Sequence, residues 1–389
     1  MSLDPSVFVH PNALCESENV GARTRVWAFA HIMPGAVVGA AIENELARLM
    51  RGSEFILGER VARFEKAFAS FCGARHCAGV ANGTDALELA FRALGIGPGD
   101  EVLVPANTFA ATALAVVRAG AEPRFVDCDA FHLIDVSDAE GRIGPRTKAI
   151  VPVHLYGQMA AMEDMTALAG ARGLIVVEDA AQAHGASRNG RPPGSDGRAA
   201  TYSFYPSKNL GAYGDAGAVV TNDDDVDASV RALRNYGSDI KYEHPVAGFN
   251  SRLDALQAAV LSAKLPYLDG WNDRRREAAA HYDEMLSDLD DVVVPAVAPG
   301  NVHVWHVYVV RVPRRDAVLA SLHEQGVGAG VHYPKPLHLQ GAFATLGYEP
   351  GDFPAAESAA GEALSLPLYP EITTEQQERV VDALRKALS

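Results

Sequence analysis

The feature that most constrains the fold of this chain is a regular alternation, between residues 76 and 222, of short apolar runs with amphipathic stretches. Apolar residues recur at helical spacing in 84–94 and 109–119, and each of these stretches begins close to the end of an apolar run. The pattern is typical of a mostly parallel sheet with helices on both faces. The candidate strands are residues 76–81, 101–104, 123–126, 149–153, 174–178, 200–204 and 218–221. We therefore predict an α/β fold with a mostly parallel seven-stranded sheet and functional loops along one sheet edge.

The pattern changes after residue 250. Residues 253–268 and 272–286 have the periodicity of long helices, and residues 303–311 alternate apolar and polar side chains like a half-buried strand. We predict a large α/β domain over residues 41–270 and a smaller C-terminal α+β domain over residues 271–389.

Residues 1–40 have a third pattern. Short β-like steps between residues 20 and 39 have the spacing of the hexapeptide turns of a left-handed β-helix. The segments 10–13 (HPNA) and 27–31 (WAFAH) resemble the opening of sugar N-acyltransferases that are built on this helix. At least three stacked repeats are needed to bury such a core, so we interpret the segment as a remnant or a docking arm rather than a working acyltransferase. An irregular N-terminal extension is the alternative.

The composition argues against several classes of function. The formal charge of −15 disfavours nucleic acid as a partner, because such binding depends on a basic surface that neutralises phosphates. The apolar runs are far shorter than the ~20 residues that cross a bilayer, and the N-terminus lacks a signal-peptide pattern. Four scattered cysteines, without a CxxC pair or histidines at zinc spacing, indicate neither a disulfide framework nor a metal site. We expect a cytoplasmic protein with no membrane partner.

The strongest chemical signal is the segment 203–211 (SFYPSKNLG), which is followed by GDAGA at residues 214–218. Lys208 lies just past the end of a predicted buried strand, among glycines that allow tight turns. In a pocket at the sheet edge, desolvation would lower the pKa of this lysine and leave a neutral amine able to attack a carbonyl. An exposed loop lysine is the alternative when the segment is considered alone.

A second segment, residues 174–185, runs from an apolar strand into Glu178 and Asp179. Consecutive residues of an extended chain face opposite ways, so one carboxylate can be buried at the strand end, where it needs a cationic partner. The protonated ring nitrogen of pyridoxal 5'-phosphate (PLP) is such a partner, and an acid there keeps the ring working as an electron sink. Gln182 would reach the ring hydroxyl if a helical turn follows. Helix capping by Asp179 and surface exposure of Gln182 are the alternatives.

A third segment, residues 81–87 (ANGTDAL), is a glycine turn between a strand and an amphipathic helix. The free N–H groups and the dipole of a helix N-terminus bind phosphate, and Thr84 adds a hydroxyl at the same place. Any turn between a strand and a helix has these properties, so this segment alone is weak evidence for a phosphate site. It supports one only in combination with the other two segments.

Together these segments resemble the DegT-type nucleotide-sugar aminotransferases, which are PLP-dependent transferases of fold type I. The resemblance extends from about residue 41 to the C-terminus. The matching motifs are residues 55–58 (FILG), 82–87 (NGTDAL), 105–109 (PANTF), 152–157 (PVHLYG), 178–182 (EDAAQ), 203–211 (SFYPSKNLG), 250–254 (NSRLD), 332–334 (HYP) and 364–367 (LSLP). The N-terminal stretch departs from the family, which usually begins with an apolar strand-like segment.

The resemblance implies a role for each matching residue. Lys208 would form the Schiff base with PLP, Asp179 would pair with the ring nitrogen, and Gln182 would contact the ring oxygen. The other implied contacts are stacking on the ring by Phe109; phosphate binding by Gly83, Thr84, Ser203 and, from the neighbouring subunit, Asn250; and binding of the sugar nucleotide by Tyr205, Lys241, His332 and Tyr333. We therefore expect a homodimer with shared active sites.

The implied reaction is a ping-pong transamination that moves an amino group from glutamate to a nucleotide-linked keto-sugar. Lys208 would act as the base and acid that moves the proton. The residues on the sugar side look most like those of the 3-amino-sugar branch, so we expect amination at C3 of a dTDP-linked keto-6-deoxyhexose. A 4-keto-sugar aminotransferase of the same family is the alternative.

Four other functions fit the sequence less well. Relatives that dehydrate sugars carry histidine in place of the Schiff-base lysine, whereas this chain has Lys208. Amino-acid transaminases normally carry a C-terminal arginine fork, and residues 364–370 contain no arginine. A regulator that only senses the cofactor would need a DNA-binding module or a basic face. Acyl transfer by residues 1–40 is disfavoured by the repeat count.

Overall fold

The computed structural model describes residues 8–9, 14–15, 25–26, 31–32, 40–238, 240 and 242–389. The strands, in chain order, are β1 (Phe8–Val9), β2 (Leu14–Cys15), β3 (Arg25–Val26), β4 (His31–Ile32), β5 (His76–Val80), β6 (Glu101–Pro105), β7 (Glu122–Val126), β8 (Thr147–Ile150), β9 (Ile175–Asp179), β10 (Ser187–Arg188), β11 (Ala199–Ser203), β12 (Gly217–Thr221), β13 (Asn301–Val302), β14 (Tyr308–Arg311) and β15 (Ala363–Leu366). The α-helices are α1 (Ala40–Gly52), α2 (Glu59–Phe71), α3 (Gly83–Ala93), α4 (Ala110–Ala119), α5 (Val136–Gly141), α6 (Met162–Arg172), α7 (Asp224–Arg234), α8 (Ala255–Lys264), α9 (Leu268–Leu286), α10 (Arg315–Glu324), α11 (Pro354–Glu362) and α12 (Thr374–Leu388).

Seven strands form the central sheet in the order β5-β12-β11-β9-β8-β6-β7. Neighbouring strands are parallel from β11 to β7, whereas β12 is antiparallel to both β11 and β5. Each of the seven predicted apolar runs contributes one strand of this sheet. The predicted α/β class with a mostly parallel seven-stranded sheet is therefore confirmed.

Apolar side chains cover both faces of the sheet. Along β9, Val176 packs into a cluster on one face and Val177 into a cluster on the other, as the period of two in a strand requires. Phe68 and Phe204 are fully buried in the first cluster, and Phe91 is fully buried in the second. Burial of one such side chain stabilises the fold by about 1.5–3 kcal/mol. The sheet is therefore a rigid platform for loops at its edge.

The C-terminal part has its own core. Tyr282 of α9, Tyr308 of β14 and Leu384 of α12 are buried together, while Leu268 at the start of α9 packs into the core of the sheet. Helix α9 thus runs across the domain boundary predicted at residue 270, and that boundary stays a prediction.

The strand predicted over 303–311 is shorter in the structure, where β14 covers only Tyr308–Arg311. Upstream of β14, the backbone N–H groups of Val304 and His306 donate to the carbonyl oxygens of Gly157 and Tyr156, both at 2.9 Å. Trp305 between them has a φ of 46°, which is incompatible with a strand. These contacts with another loop replace strand pairing.

The described N-terminal residues form two short parallel pairings. Phe8 pairs with Arg25 and Leu14 pairs with His31, with the same sequence offset in both. The hexapeptide-like turns predicted for 1–40 lie largely outside the described residues and stay a prediction. Within the described ranges, no helix is long and apolar enough to cross a membrane.

Candidate active site

The carboxyl ends of the central strands bring the three chemical segments together. Asp179 at the end of β9 is in register with Thr201 of β11, and Ser203 at the end of β11 is in register with Gly217 of β12. Gly217 is in turn opposite Val80, the last residue of β5 before the turn to α3. The ends of three separate segments therefore meet at one sheet edge, as predicted for ligand sites of such sheets.

The turn into α3 forms an anion cradle. A Cβ atom on Gly83 would lie 2.6 Å from Cβ of Ser203, so only glycine allows the start of α3 to approach this serine so closely. Asn82 caps the helix by accepting a hydrogen bond from the Asp85 N–H at 2.8 Å. The first N–H groups of a helix, here those of Gly83 and Thr84, have no acceptor within the helix. They lie beside the Ser203 hydroxyl and can receive a phosphate.

Lys208 lies in the loop between β11 and β12. Its backbone N–H donates to the carbonyl oxygen of Tyr205 at 2.8 Å, which closes a turn. Burial lowers the pKa of Lys208 to about 8, and the charge of Asp179 opposes this shift. Burial and the charge of Lys208 also lower the pKa of His332 to about 4 and that of His184 to about 3, so both imidazoles are neutral near pH 7. The surroundings thus raise the fraction of neutral, nucleophilic amine above that of an ordinary lysine.

Asp179 is a buried carboxylate that forms no ion pair with any side chain in the described ranges. Its oxygens accept hydrogen bonds from the Thr112 hydroxyl at 2.8 Å and from the Ala181 N–H at 3.1 Å. In the part of the chain that the structure describes, no lysine, arginine or histidine nitrogen forms an ion pair with it. Burial raises the pKa of Asp179, while its hydrogen bonds and Lys208 lower it. A protonated ring nitrogen placed here would supply the missing positive charge.

The neighbouring carboxylate corrects one expectation from the sequence. The alternation along β9 predicts that one of the two acids is buried, whereas both are, with Glu178 0% and Asp179 5% exposed. Glu178 contacts His154 Nε2 at 2.8 Å and accepts from the N–H groups of Gly194 and Gly197 at 3.0 and 2.8 Å. Because these groups satisfy it, Glu178 is structural and Asp179 faces the site.

Gln182 follows Asp179 within a hydrogen-bonded turn and not within a helix. Its side-chain oxygen accepts from the Tyr156 N–H at 2.7 Å, and its amide nitrogen donates to the Tyr333 hydroxyl at 3.1 Å. One amide N–H remains for a ligand oxygen. The ring of Tyr333 lies 5.4 Å from that of Phe109, which is 55% exposed at the N-terminus of α4. These residues form one wall of the site.

Of the remaining predicted residues, three lie in described parts of the chain: Tyr205, Asn250 and His332. His332 Nδ1 lies 2.7 Å from the Ser365 hydroxyl. Tyr205 is 48% exposed beside Lys208. Lys241 lies outside the described residues. Asn250 is exposed and forms no described hydrogen bond to Gly83, Thr84 or Ser203 of its own chain.

Two contributors were not identified from the sequence. Thr112 holds Asp179, and a signal existed, since it lies one helical turn after Phe109 on the same helix. Tyr156 holds Gln182 through its N–H and the carbonyl oxygen of His332 through its hydroxyl. Its φ of 61° is the kind of conformation that a sequence does not reveal for a tyrosine.

Comparisons with a family model, with curated proteins and with solved structures all point to one family of aminotransferases. Residues 37–385 match the DegT/DnrJ/EryC1/StrS aminotransferase family. A pleiotropic regulatory protein of Geobacillus stearothermophilus is 52% identical over 88% of this chain and 93% of its own length. The dTDP-3-amino-3,4,6-trideoxy-alpha-D-glucose transaminase of Streptomyces venezuelae is 46% identical over 89% of this chain and 92% of its own length. The crystal structure of S. venezuelae DesV in complex with a ketimine intermediate superposes with a TM-score of 0.87 at 46% identity, covering 89% of this chain and 94% of that one.

Proposed function

This chain belongs to the DegT/DnrJ/EryC1/StrS aminotransferase family, and from that premise we propose that it transfers an amino group from glutamate to C3 of a dTDP-linked keto-6-deoxysugar. As a family member it is a PLP-dependent aminotransferase that acts on nucleotide-linked keto-sugars. The amino donor, the nucleotide and the position on the sugar are the parts that we propose.

One observation carries the chemistry: a lysine whose pKa is lowered to about 8 lies at the same sheet edge as a buried carboxylate that forms no ion pair with any described side chain. These are the two groups that PLP requires, an amine for its aldehyde and an acid for its ring nitrogen. The residues present therefore fit the cofactor.

We assign the remaining contacts to the residues around this pair. The N–H groups of Gly83 and Thr84, with the Ser203 hydroxyl, would hold the phosphate. The free N–H of Gln182 would bind the ring oxygen, and the exposed ring of Phe109 would cover one ring face. Each group is either at the start of a helix or fixed by hydrogen bonds, so the cofactor would enter a prearranged site.

When bound, PLP supplies an electron sink for the electron pair left by breaking of the C–H bond beside the transferred nitrogen. Asp179 would hold a proton at the ring nitrogen, and the hydrogen bond that it accepts from the Thr112 hydroxyl helps to orient its carboxylate. Nζ of Lys208 would take the proton from the carbon of the amino donor and deliver it to the cofactor carbon that bears the transferred nitrogen. In the second half-reaction the same atom would move a proton from that cofactor carbon to the sugar carbon that receives the nitrogen, so one residue would serve both substrates.

Amination at C3 is supported by the relatives. The S. venezuelae relative is named for a 3-amino sugar, and so are others of the family that are similar to this chain. The ring of Tyr333 lies beside that of Phe109, and the ring of His332 lies beside that of Tyr333, which is consistent with a sugar held over one face of the cofactor ring. Since a small rotation of the hexose would exchange C3 for C4, contacts to sugar hydroxyls must decide the position.

We also propose that two chains share each active site. Asn250 matches a phosphate-binding position, yet it is exposed and bonds no phosphate-cradle residue of its own chain. It borders an open depression of about 350 Å³ together with Ala81, which precedes the cradle, and Arg252. A second copy that covers this depression would bring its own Asn250 to the cofactor.

The test is to supply purified dTDP-linked 3-keto and 4-keto sugars separately, with PLP and ¹⁵N-glutamate, and to identify the amine by mass and NMR. We expect ¹⁵N at C3 of the 3-keto sugar and no product with Lys208→Ala. Efficient amination of the 4-keto sugar, with little of the 3-keto sugar, would overturn the position but not the transamination. A product without ¹⁵N would overturn glutamate as the donor.

A further inference from the structure

We propose that Asn209, the residue after Lys208, is a positioning residue that locks the lysine loop onto α9 and onto the segment 304–306. The inference rests on the proposed role of Lys208 as the residue that binds the cofactor. It assigns to a buried amide the task of fixing where the lysine amine lies.

Every polar atom of the Asn209 side chain is engaged. The side chain is buried, with the residue only 6% exposed. Its Nδ2 donates to Oδ1 of Asn272 at 2.9 Å and to the carbonyl oxygen of Val304 at 2.8 Å. Its Oδ1 lies 3.1 Å from Nδ1 of His306. One side chain thus joins the Lys208 loop to two other segments, α9 and residues 304–306.

The partners fix the orientation of this amide. The Val304 carbonyl can only accept, so it requires the NH₂ group of Asn209 and not its oxygen. Nδ2 of Asn272 already donates to the carbonyl oxygen of His184 at 2.8 Å, so the Oδ1 atom of Asn272 is left to accept. Oδ1 of Asn209 must therefore accept from His306, and His306 carries its proton on Nδ1. Burial lowers the pKa of His306 well below its usual value, which keeps the ring neutral.

The same segment reaches the other side of the cofactor site. The N–H of His306 donates to the carbonyl oxygen of Tyr156, whose own N–H donates to Gln182. A continuous chain of hydrogen bonds therefore connects the neighbour of Lys208 with the residue assigned to the ring oxygen. Arg275, one turn after Asn272 in α9, adds a hydrogen bond to the Trp305 carbonyl oxygen at 3.1 Å. This framework would therefore set the distance between the Lys208 amine and the cofactor ring.

Replacement of Asn209 by alanine would leave three buried or half-buried groups without their partner. The cradle at Gly83 and Ser203 would be unchanged, because Asn209 does not contact it. We therefore expect the cofactor still to bind while the lysine amine is misplaced. A displacement of about 1 Å is enough to slow a reaction by about 100-fold.

The experiment compares the holoenzymes of wild type, Asn209→Ala and a matched control, Gln377→Ala. Gln377 is also a buried amide, 2% exposed, that donates to a backbone carbonyl at 2.7 Å and faces a histidine Nδ1 at 3.1 Å, but it joins α9 to α12. Thermal unfolding, the pH titration of the visible absorbance of the lysine-bound cofactor, and the single-turnover rate with glutamate are measured for each protein.

We expect both variants to lose thermal stability to a similar degree. Only Asn209→Ala should shift the midpoint of the absorbance titration, and only in this variant should the single-turnover rate fall by about 100-fold. Equal midpoints and equal rates in the two variants would overturn the inference. If the wild-type protein showed no absorbance of a lysine-bound cofactor after addition of PLP, only that of free PLP, the proposed function would fail. This result is distinct from failure of the inference about Asn209.

A second variant keeps the test decisive if Asn209→Ala does not fold. His306→Ala removes one of the three partners of Asn209 at a half-buried position. This variant should shift the midpoint of the absorbance titration and reduce the single-turnover rate by about 10-fold. The loss is smaller than in Asn209→Ala because two of the three hydrogen bonds that hold the Lys208 loop remain. Wild-type values for both quantities would overturn the inference.

Discussion

Lys208 of the cofactor-free protein should capture PLP at a rate that levels off above about pH 8. Burial lowers the pKa of its amine to about 8 from 10.5, and only the neutral amine attacks an aldehyde. At pH 7 about one Lys208 in ten would be neutral, compared with about one ordinary lysine in three thousand, a difference of about 300-fold. The second-order rate constant should therefore rise nearly tenfold from pH 6 to 7 but by less than about 1.2-fold from pH 9 to 10.

The assay is stopped-flow absorbance after mixing PLP with cofactor-free protein between pH 6 and 10. The same series with a simple alkylamine, corrected for the neutral fraction of that amine, gives the pH dependence of the reactivity of PLP itself. The rate constants of the protein are divided by this reactivity at each pH. Because Asp179 raises the pKa of Lys208, Asp179→Asn should move the midpoint to lower pH. A rate constant that still rises more than about fivefold between pH 9 and 10 would refute the effect of burial, since that is the behaviour of an unshifted lysine.

The chain offers a matched control in Lys264. Burial lowers its pKa to about 8 as well, but its Nζ donates to the Gly211 carbonyl oxygen at 2.7 Å and lies 4.4 Å from the ring centre of Tyr213. Lys264→Arg should keep the capture reaction and its midpoint, whereas Lys208→Ala should abolish the visible absorbance. If Lys264→Arg lost the capture reaction while Lys208→Ala kept it, the assignment of the reactive amine to Lys208 would be wrong.

Three further outcomes are expected. Mixed subunits of Lys208→Ala and Asn250→Ala should recover about a quarter of the wild-type activity, since half of the dimers would be mixed and each would hold one intact site; no recovery in demonstrably mixed dimers would contradict a shared site. Deletion of residues 1–38 should reduce thermal stability or solubility more than turnover, because no assigned cofactor contact lies there, and a folded truncation with a selective loss of turnover would argue otherwise. Thr112→Val should lower the free energy of unfolding by about 1–3 kcal/mol in urea titrations, because the Asp179 carboxylate loses a buried donor, and an unchanged value would show that water replaces the hydroxyl.

The sequence predicts those parts of the site that depend on strand ends. Lys208, Asp179 and Gly83 each follow an apolar run, and the rule that carboxyl ends of parallel strands share one edge places them together. The proximity of these three residues can therefore be predicted from local patterns in a single sequence.

Contacts between distant segments could not be predicted in the same way. Glu178 looks equivalent to Asp179 in the sequence, and the groups that distinguish it, His154 and the N–H groups of Gly194 and Gly197, come from other segments. Asn209 and Asn272 are amides that usually lie at the surface, yet they meet in the interior across 63 positions of sequence. The alternation over 303–311 is compatible with a strand, but hydrogen bonds to Tyr156 and Gly157 override it at Val304 and His306.

The position of β12 determines when during synthesis the cofactor site can first exist. Strand β12 is the last of the seven in sequence but lies between β5 and β11, so β5 has no partner in the sheet until β12 has left the ribosome. About 140 residues separate Val80 from Thr221, which corresponds to roughly 7 to 28 s of translation at 5–20 residues per second. For most of that interval the cradle at Gly83 lacks Ser203 and Lys208, and β5 is an unpaired edge that is prone to association with other chains. A nascent chain should therefore acquire PLP late, and a chaperone that shields β5 during this interval should raise the yield of enzyme without changing its activity per molecule.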